Sequence, residues 1–183
     1  MIYHLSLQTA GWICGILLLI IGGSALARPN ATRDFAARLP RSQPIGIALL
    51  TIDLIWCVWL LATMEMGEFS VFRKPLLIIL PIAYILVLRF VNEFLAVRAL
   101  GILCLLAAEP LLDAAIFRYE SSRLLVTVFA YLLVIAGVFW VASPYLLRDQ
   151  ISWTSRSDTR WRSFYGLLVA YGAAVLVCAI AFY

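Results

Sequence analysis

Six runs of apolar residues fill most of this chain, and almost every charged residue falls in the short gaps between them. The runs cover residues 5–27, 45–64, 75–96, 99–117, 124–147 and 164–183. A hydrocarbon core roughly 30 Å thick is crossed by about 20 helical residues, so each run can span it. Their continuous apolar character selects helices over barrel strands, which alternate two faces in segments of about ten residues. With 64% hydrophobic residues in a chain of 183, no soluble core of this size could enclose the apolar surface, and lipid must be the solvent for most of it. The expectation is an all-α, polytopic transmembrane helix bundle of about six spans with minimal loops, forming a single integral-membrane domain over residues 1–183.

Two places need a decision. Ala25-Leu26-Ala27 has the small-x-small pattern of a signal-peptidase site, but no Lys or Arg precedes the apolar stretch, so the first run is read as a helix. Only Val97 and Arg98 separate the third run from the fourth, and Arg89, Asn92 and Glu93 crowd the end of the third. The preferred reading is two helices joined by a tight turn near Arg98; the alternative is one span followed by a re-entrant segment.

The 14 basic residues orient the bundle. Arg28, Arg33, Arg38, Arg41, Arg89, Arg98, Arg148, Arg156, Arg160 and Arg162 share one side if the helices alternate, leaving Arg73, Lys74, Arg118 and Arg123 on the other. Cytoplasmic loops carry the excess of Lys and Arg, so the first set is expected inside and both termini outside, in a bacterial cytoplasmic membrane. The net charge of +4 is thus a topology signal and gives no reason to invoke nucleic acid. Arg33-Asp34 is followed by Arg41-Ser42 at the same interval at which Arg148-Asp149 is followed by Arg156-Ser157. The echo fits a duplicated hairpin or a chance match in arginine-rich gaps.

Several chemistries lack their residues. His4 is the only histidine, so paired haem ligands and a histidine triad are excluded within this chain. Cys14, Cys57, Cys104 and Cys178 each stand alone in an apolar run, without C-x-x-C spacing. No Gly-rich phosphate loop or G-x-S-x-G motif occurs. No cofactor and no metal site is evident.

What remains is polar groups inside the spans: Asp53, Arg89, Glu93, Glu109 and Asp113. Asp53 is expected roughly 12 Å, and Glu109 roughly 15 Å, from the arginine-rich side at 1.5 Å per residue, both near the midplane. Asp113 shares the face of Glu109 one turn on. A carboxylate at such depth costs about 2.5–3.5 kcal/mol, so it should be paired, protonated or turned inward. One reading is structural, with Asp53 pairing Arg89 and Glu93 pairing Arg98. The other is a proton- or cation-handling site built from Asp53, Glu109 and Asp113. Pro110, unable to donate to the carbonyl of Leu106, is expected to bend the helix beside Glu109.

Gly11 and Gly15 form a G-x-x-x-G, and Gly166, Ala170 and Ala174 repeat small residues every four positions, patterns that let helices approach closely. The expected partners are membrane lipid and other membrane subunits or further copies of the chain. The first functional expectation is a small helical subunit of a larger membrane complex, contributing helices rather than catalysis. The second is a small oligomeric transporter or channel handling protons or cations at Glu109. The third is a lipid-active membrane enzyme, for which Glu109 and Asp113 have the spacing of a metal-binding acid pair but lie too deep.

Overall fold

The computed structural model describes residues 3, 5–91, 93–116 and 122–181. His4, Asn92, Arg118 and the ends of the fourth and sixth apolar runs, at 117 and 182–183, lie outside the described residues. Among the described residues the regular structure is helical: α1 (Leu7–Ala27), α2 (Pro29–Arg38), a 3-10 turn (Leu39–Arg41), α3 (Gln43–Thr63), a second 3-10 turn (Gly67–Phe72), α4 (Arg73–Phe90), α5 (Leu95–Ala115), α6 (Arg123–Ala142), α7 (Tyr145–Ser155) and α8 (Asp158–Ala181). Six of these, α1, α3, α4 with the turn before it, α5, α6 and α8, are long and apolar enough to cross a bilayer. Their outward faces carry side chains such as Ile20 and Leu167, 65% and 70% exposed, which water would not tolerate in such numbers. The chain is a multi-pass integral membrane protein.

The spans stand where hydropathy puts them, but two ends move. α4 stops at Phe90 and α5 starts at Leu95, so the junction precedes Arg98, which lies in the first turn of α5. Phe94 takes a left-handed conformation, φ 56 and ψ 28, to start α5. Apolar Phe94, Leu95 and Ala96 follow Asn92 and Glu93 in the sequence, and they carried the third run past this junction to 96. Since α5 is a full helix, the re-entrant alternative falls. The fifth run likewise ends early, at Ala142, because Pro144 disfavours helical geometry at Ser143 (φ −134, ψ 75). Tyr145, Leu146 and Leu147 belong to the separate helix α7.

The bundle has a four-helix centre. α1 packs antiparallel on α8, and α5 antiparallel on α6, through glycines that let backbones touch. A Cβ on Gly101 would lie 2.9 Å from the carbonyl oxygen of Gly137, and one on Gly137 would lie 2.8 Å from that of Gly101. Gly15 meets Gly172 in the same manner. Between the pairs, at the end away from the arginines, a core forms from Leu7, Ala10, Cys14, Leu111, Ala115, Val126, Ala130 and Val175. α3 lies parallel on α5, and α4 rests on α3 with none of its residues buried. On α8 the buried face is Gly172, Val175 and Ala179. The stripe Gly166, Ala170 and Ala174 points away: nothing lies within 4 Å of a Cβ on Gly166, and both alanines are exposed.

The two gaps that share the Arg-Asp and Arg-Ser spacing fold alike. Each forms a short helix, α2 or α7, at the same end of the bundle, and the two helices touch. Ser42 and Ser157 then hold equivalent places, their carbonyls accepting the first helical bonds of the next span, from Gly46 and Trp161.

Candidate functional site

The intramembrane carboxylates gather along the groove between α3 and α5. Register is set at the arginine-rich end, where a Cβ on Gly46 would stand 2.8 Å from the backbone nitrogen of Ala96. Because the helices run parallel, position 46 beside 96 puts Asp53 level with about position 103. Asp53 is 2% exposed and neither of its carboxyl oxygens has a hydrogen-bond partner. Its neighbours include two thiols, Cys57 one turn on in α3 and Cys104 across in α5. Ten residues from Gln43, Asp53 sits roughly 15 Å along α3, close to its midpoint.

Glu109 stands about 9 Å further along the groove by the same rise, and unlike Asp53 it is exposed. The side chain that meets it comes from the segment before α1. The Tyr3 hydroxyl lies near the Glu109 carboxyl and accepts from the indole N–H of Trp56 at 2.6 Å. Tyr3 also packs on Trp59, ring centroids 5.6 Å apart. Burial pushes the Tyr3 phenol above its usual range; the Trp56 hydrogen bond opposes this and the nearby Glu109 charge adds to it. Tyr3 therefore stays protonated near neutral pH and remains a donor. Asp113, half-buried one turn beyond, acts electrostatically on Glu109. The three carboxyls thus form a line from the middle of the bundle to its arginine-poor end.

Three expectations change. Because α5 starts at Leu95, Glu109 lies roughly 21 Å from the arginine-rich end and roughly 9 Å from Ala115. It occupies the outer third of the helix, not its middle. The objection of depth to an interfacial acid pair is thereby removed, although no group of three or more His, Cys, Asp or Glu able to hold a metal occurs among the described residues. The Asp53–Arg89 pair does not form. Thr51 and Tyr84, whose hydroxyls are 2.8 Å apart, fix the antiparallel register of α3 on α4. Five residues beyond Tyr84, Arg89 falls level with position 46 and is exposed, far from Asp53. Nor do Glu93 and Arg98, both exposed, pair with each other; the ion pairs among the described residues are Arg33–Asp158 and Arg148–Asp149. α5 continues through Pro110 to Ala115 as one helix.

Tyr3 and Trp56 were not legible as site residues. Tyr3 precedes the first span, and no spacing rule ties it to a groove between the second and fourth. Trp56 read as one more apolar aromatic, and only its indole N–H, which needs an acceptor when buried, hinted at more. Comparison of the chain with protein-family models, curated protein sequences and solved structures returns no match.

Proposed function

We propose that this protein is a helical subunit of a membrane assembly, in which a helix from another chain, of the same or a different kind, covers Glu109. The observation that carries this reading is the contrast between the two acids. Asp53 is enclosed by its own chain, whereas Glu109 is exposed on the flank of a membrane-spanning helix. Ionisable groups within spans almost always face protein or a water-filled cavity. Lipid is a poor neighbour for Glu109, whose carboxyl can accept several hydrogen bonds. The arginine-rich end faces the cytoplasm in this reading, with the termini outside.

A second reading is favoured by one observation, the unpartnered oxygens of Asp53. A buried acid with no internal partner, about 9 Å behind an accessible one, is placed to accept a proton or cation entering from the arginine-poor end. Here the covering helix would complete a pathway, and the assembly would be a small transporter or channel.

Glu109→Gln tests both, because the amide keeps the shape of the acid but releases no proton. A photoactivatable residue at Leu106, one turn before Glu109, should crosslink the wild-type chain to a partner in native membranes. Glu109→Gln should weaken that crosslink while the chain stays folded in detergent. Proton uptake by vesicles carrying the assembly, lost in Glu109→Gln with the crosslink intact, selects the transport reading. No crosslink from wild-type protein at Leu106 or Leu112 refutes the covered-acid proposal.

A further inference from the structure

At the arginine-rich end, where α1, α2 and α8 meet, the surface holds a recess of about 420 Å³. Its fixed wall is Trp161, 1% exposed, whose indole N–H donates to the carbonyl of Ala25 at 3.0 Å. Arg33 lies over that ring, its guanidinium carbon 5.0 Å from the centroid. The charge is thus held in place although it belongs to a short helix. One terminal nitrogen of Arg33 meets Asp158 at 2.6 Å, while Nε has no acceptor. Arg162 and Asn30 face the same space, and Leu26 closes it with an apolar edge. Two arginines against one aspartate leave a formal charge of about +1 in the recess.

We propose that this recess binds a phosphate group, and that its occupant is the headgroup phosphate of an anionic phospholipid. A guanidinium fork matches phosphate oxygens, and one already stacked on tryptophan loses little freedom on binding. The level is right for a headgroup, since Ala25 and Leu26 end α1 and Trp161 stands in the first turn of α8. The volume lies within the roughly 300–1,000 Å³ of small-molecule sites. Basic pockets between spans on the arginine-rich side are suited to anionic headgroups. Asp158 marks the place of the anion: its side chain is 78% exposed, so the pair it makes is weak and displaceable. A phosphate seated there takes over the Asp158 position and offers further oxygens to Asn30 and Arg162. A soluble phosphate compound shares this chemistry, and the test separates the two sources.

The full-length protein in detergent, followed by native mass spectrometry, is titrated with phosphatidylglycerol, phosphatidylcholine and inorganic phosphate. Wild-type protein should prefer phosphatidylglycerol to phosphatidylcholine. Arg33→Gln combined with Arg162→Gln should weaken phosphatidylglycerol binding about tenfold or more and leave phosphatidylcholine unchanged. Asp158→Asn should strengthen phosphatidylglycerol binding several-fold, a gain that a misfolded chain cannot produce. Inorganic phosphate bound by wild type and lost in the double variant, without a preference for phosphatidylglycerol, would keep the phosphate site but overturn its lipid assignment. Equal binding of every probe by wild type and the double variant, with no gain in Asp158→Asn, overturns the proposal.

Discussion

Replacing Asp53 by alanine should make the protein more stable. A buried polar group left without a hydrogen-bond partner costs about 1–3 kcal/mol, and both carboxyl oxygens of Asp53 are in that position. The substitution removes the carboxyl and leaves a void of about 25 Å³, which at about 24 cal/mol per Å³ costs near 0.6 kcal/mol. The net expectation is a gain of about 0.5–2.5 kcal/mol, or roughly 1–10 °C in Tm at 2–4 °C per kcal/mol for a chain of this size. Thermal unfolding of purified protein in mild detergent, followed by tryptophan fluorescence, measures it. Asp53→Asn is the companion variant; it keeps the volume and a buried polar group, and should gain less than alanine. A loss of more than about 1 kcal/mol in Asp53→Ala, the scale of a broken hydrogen bond, would show that the carboxyl is a structural partner. The argument for a poised acid would then fail.

Gly137→Ala should destabilise the bundle by about 1–3 kcal/mol, because its Cβ meets the backbone of Gly101 rather than a movable side chain; Gly166→Ala, with open space around it, should be neutral or gain up to about 1 kcal/mol of helix propensity, and the same thermal assay ranks them. Tyr3→Phe should cost about 1–2 kcal/mol by leaving the Trp56 indole N–H without its acceptor, and a Tm equal to wild type would contradict that bond. In a cysteine-free background, Phe35→Cys and Gln150→Cys should be shielded from an impermeant thiol reagent in intact cells while Ser70→Cys is labelled; the reverse pattern would invert the orientation drawn from the arginines.

The six spans were legible because lipid imposes a length and a polarity on any helix that crosses it, and α1, α3 and α8 begin or end within a few residues of the expected positions, α8 ahead of its apolar run by a polar first turn. The misplaced ends have a common cause. Apolar Phe94, Leu95 and Ala96 lead into α5 and Tyr145, Leu146 and Leu147 start α7, each extending an apolar run beyond the helix it belongs to. Hydropathy measures solvent and does not measure backbone direction. Phe94 in a left-handed conformation and Ser143 before Pro144 stand at these junctions; the sequence marks the first with Asn92 and Glu93 and the second with the proline.

Side-chain faces were harder to read than spans, and the reason bears on function. On α8, the series 166, 170, 174, all small, and the series 172, 175, 179, with valine at its centre, both have helical spacing, yet only the second meets α1. In lipid, no hydrophobic drive distinguishes an inward face from an outward one, so close packing alone decides. The same holds for the acids. The cost of a carboxylate in hydrocarbon demands shelter, which Asp53 finds within its own chain and exposed Glu109 does not, and register decides the difference. Thr51 beside Tyr84 shifts Arg89 away from Asp53 and leaves that acid enclosed and alone. The early start of α5 moves Glu109 outward to meet Tyr3, a residue outside every span. One acid is therefore sheltered by its own chain without a hydrogen-bond partner, while the other stands exposed beside Tyr3. In the proposed assembly, a single additional helix laid against the groove near Glu109 would cover the exposed acid and lie over the line of carboxyls that leads to the buried one, so that assembly and access to Asp53 would depend on the same surface.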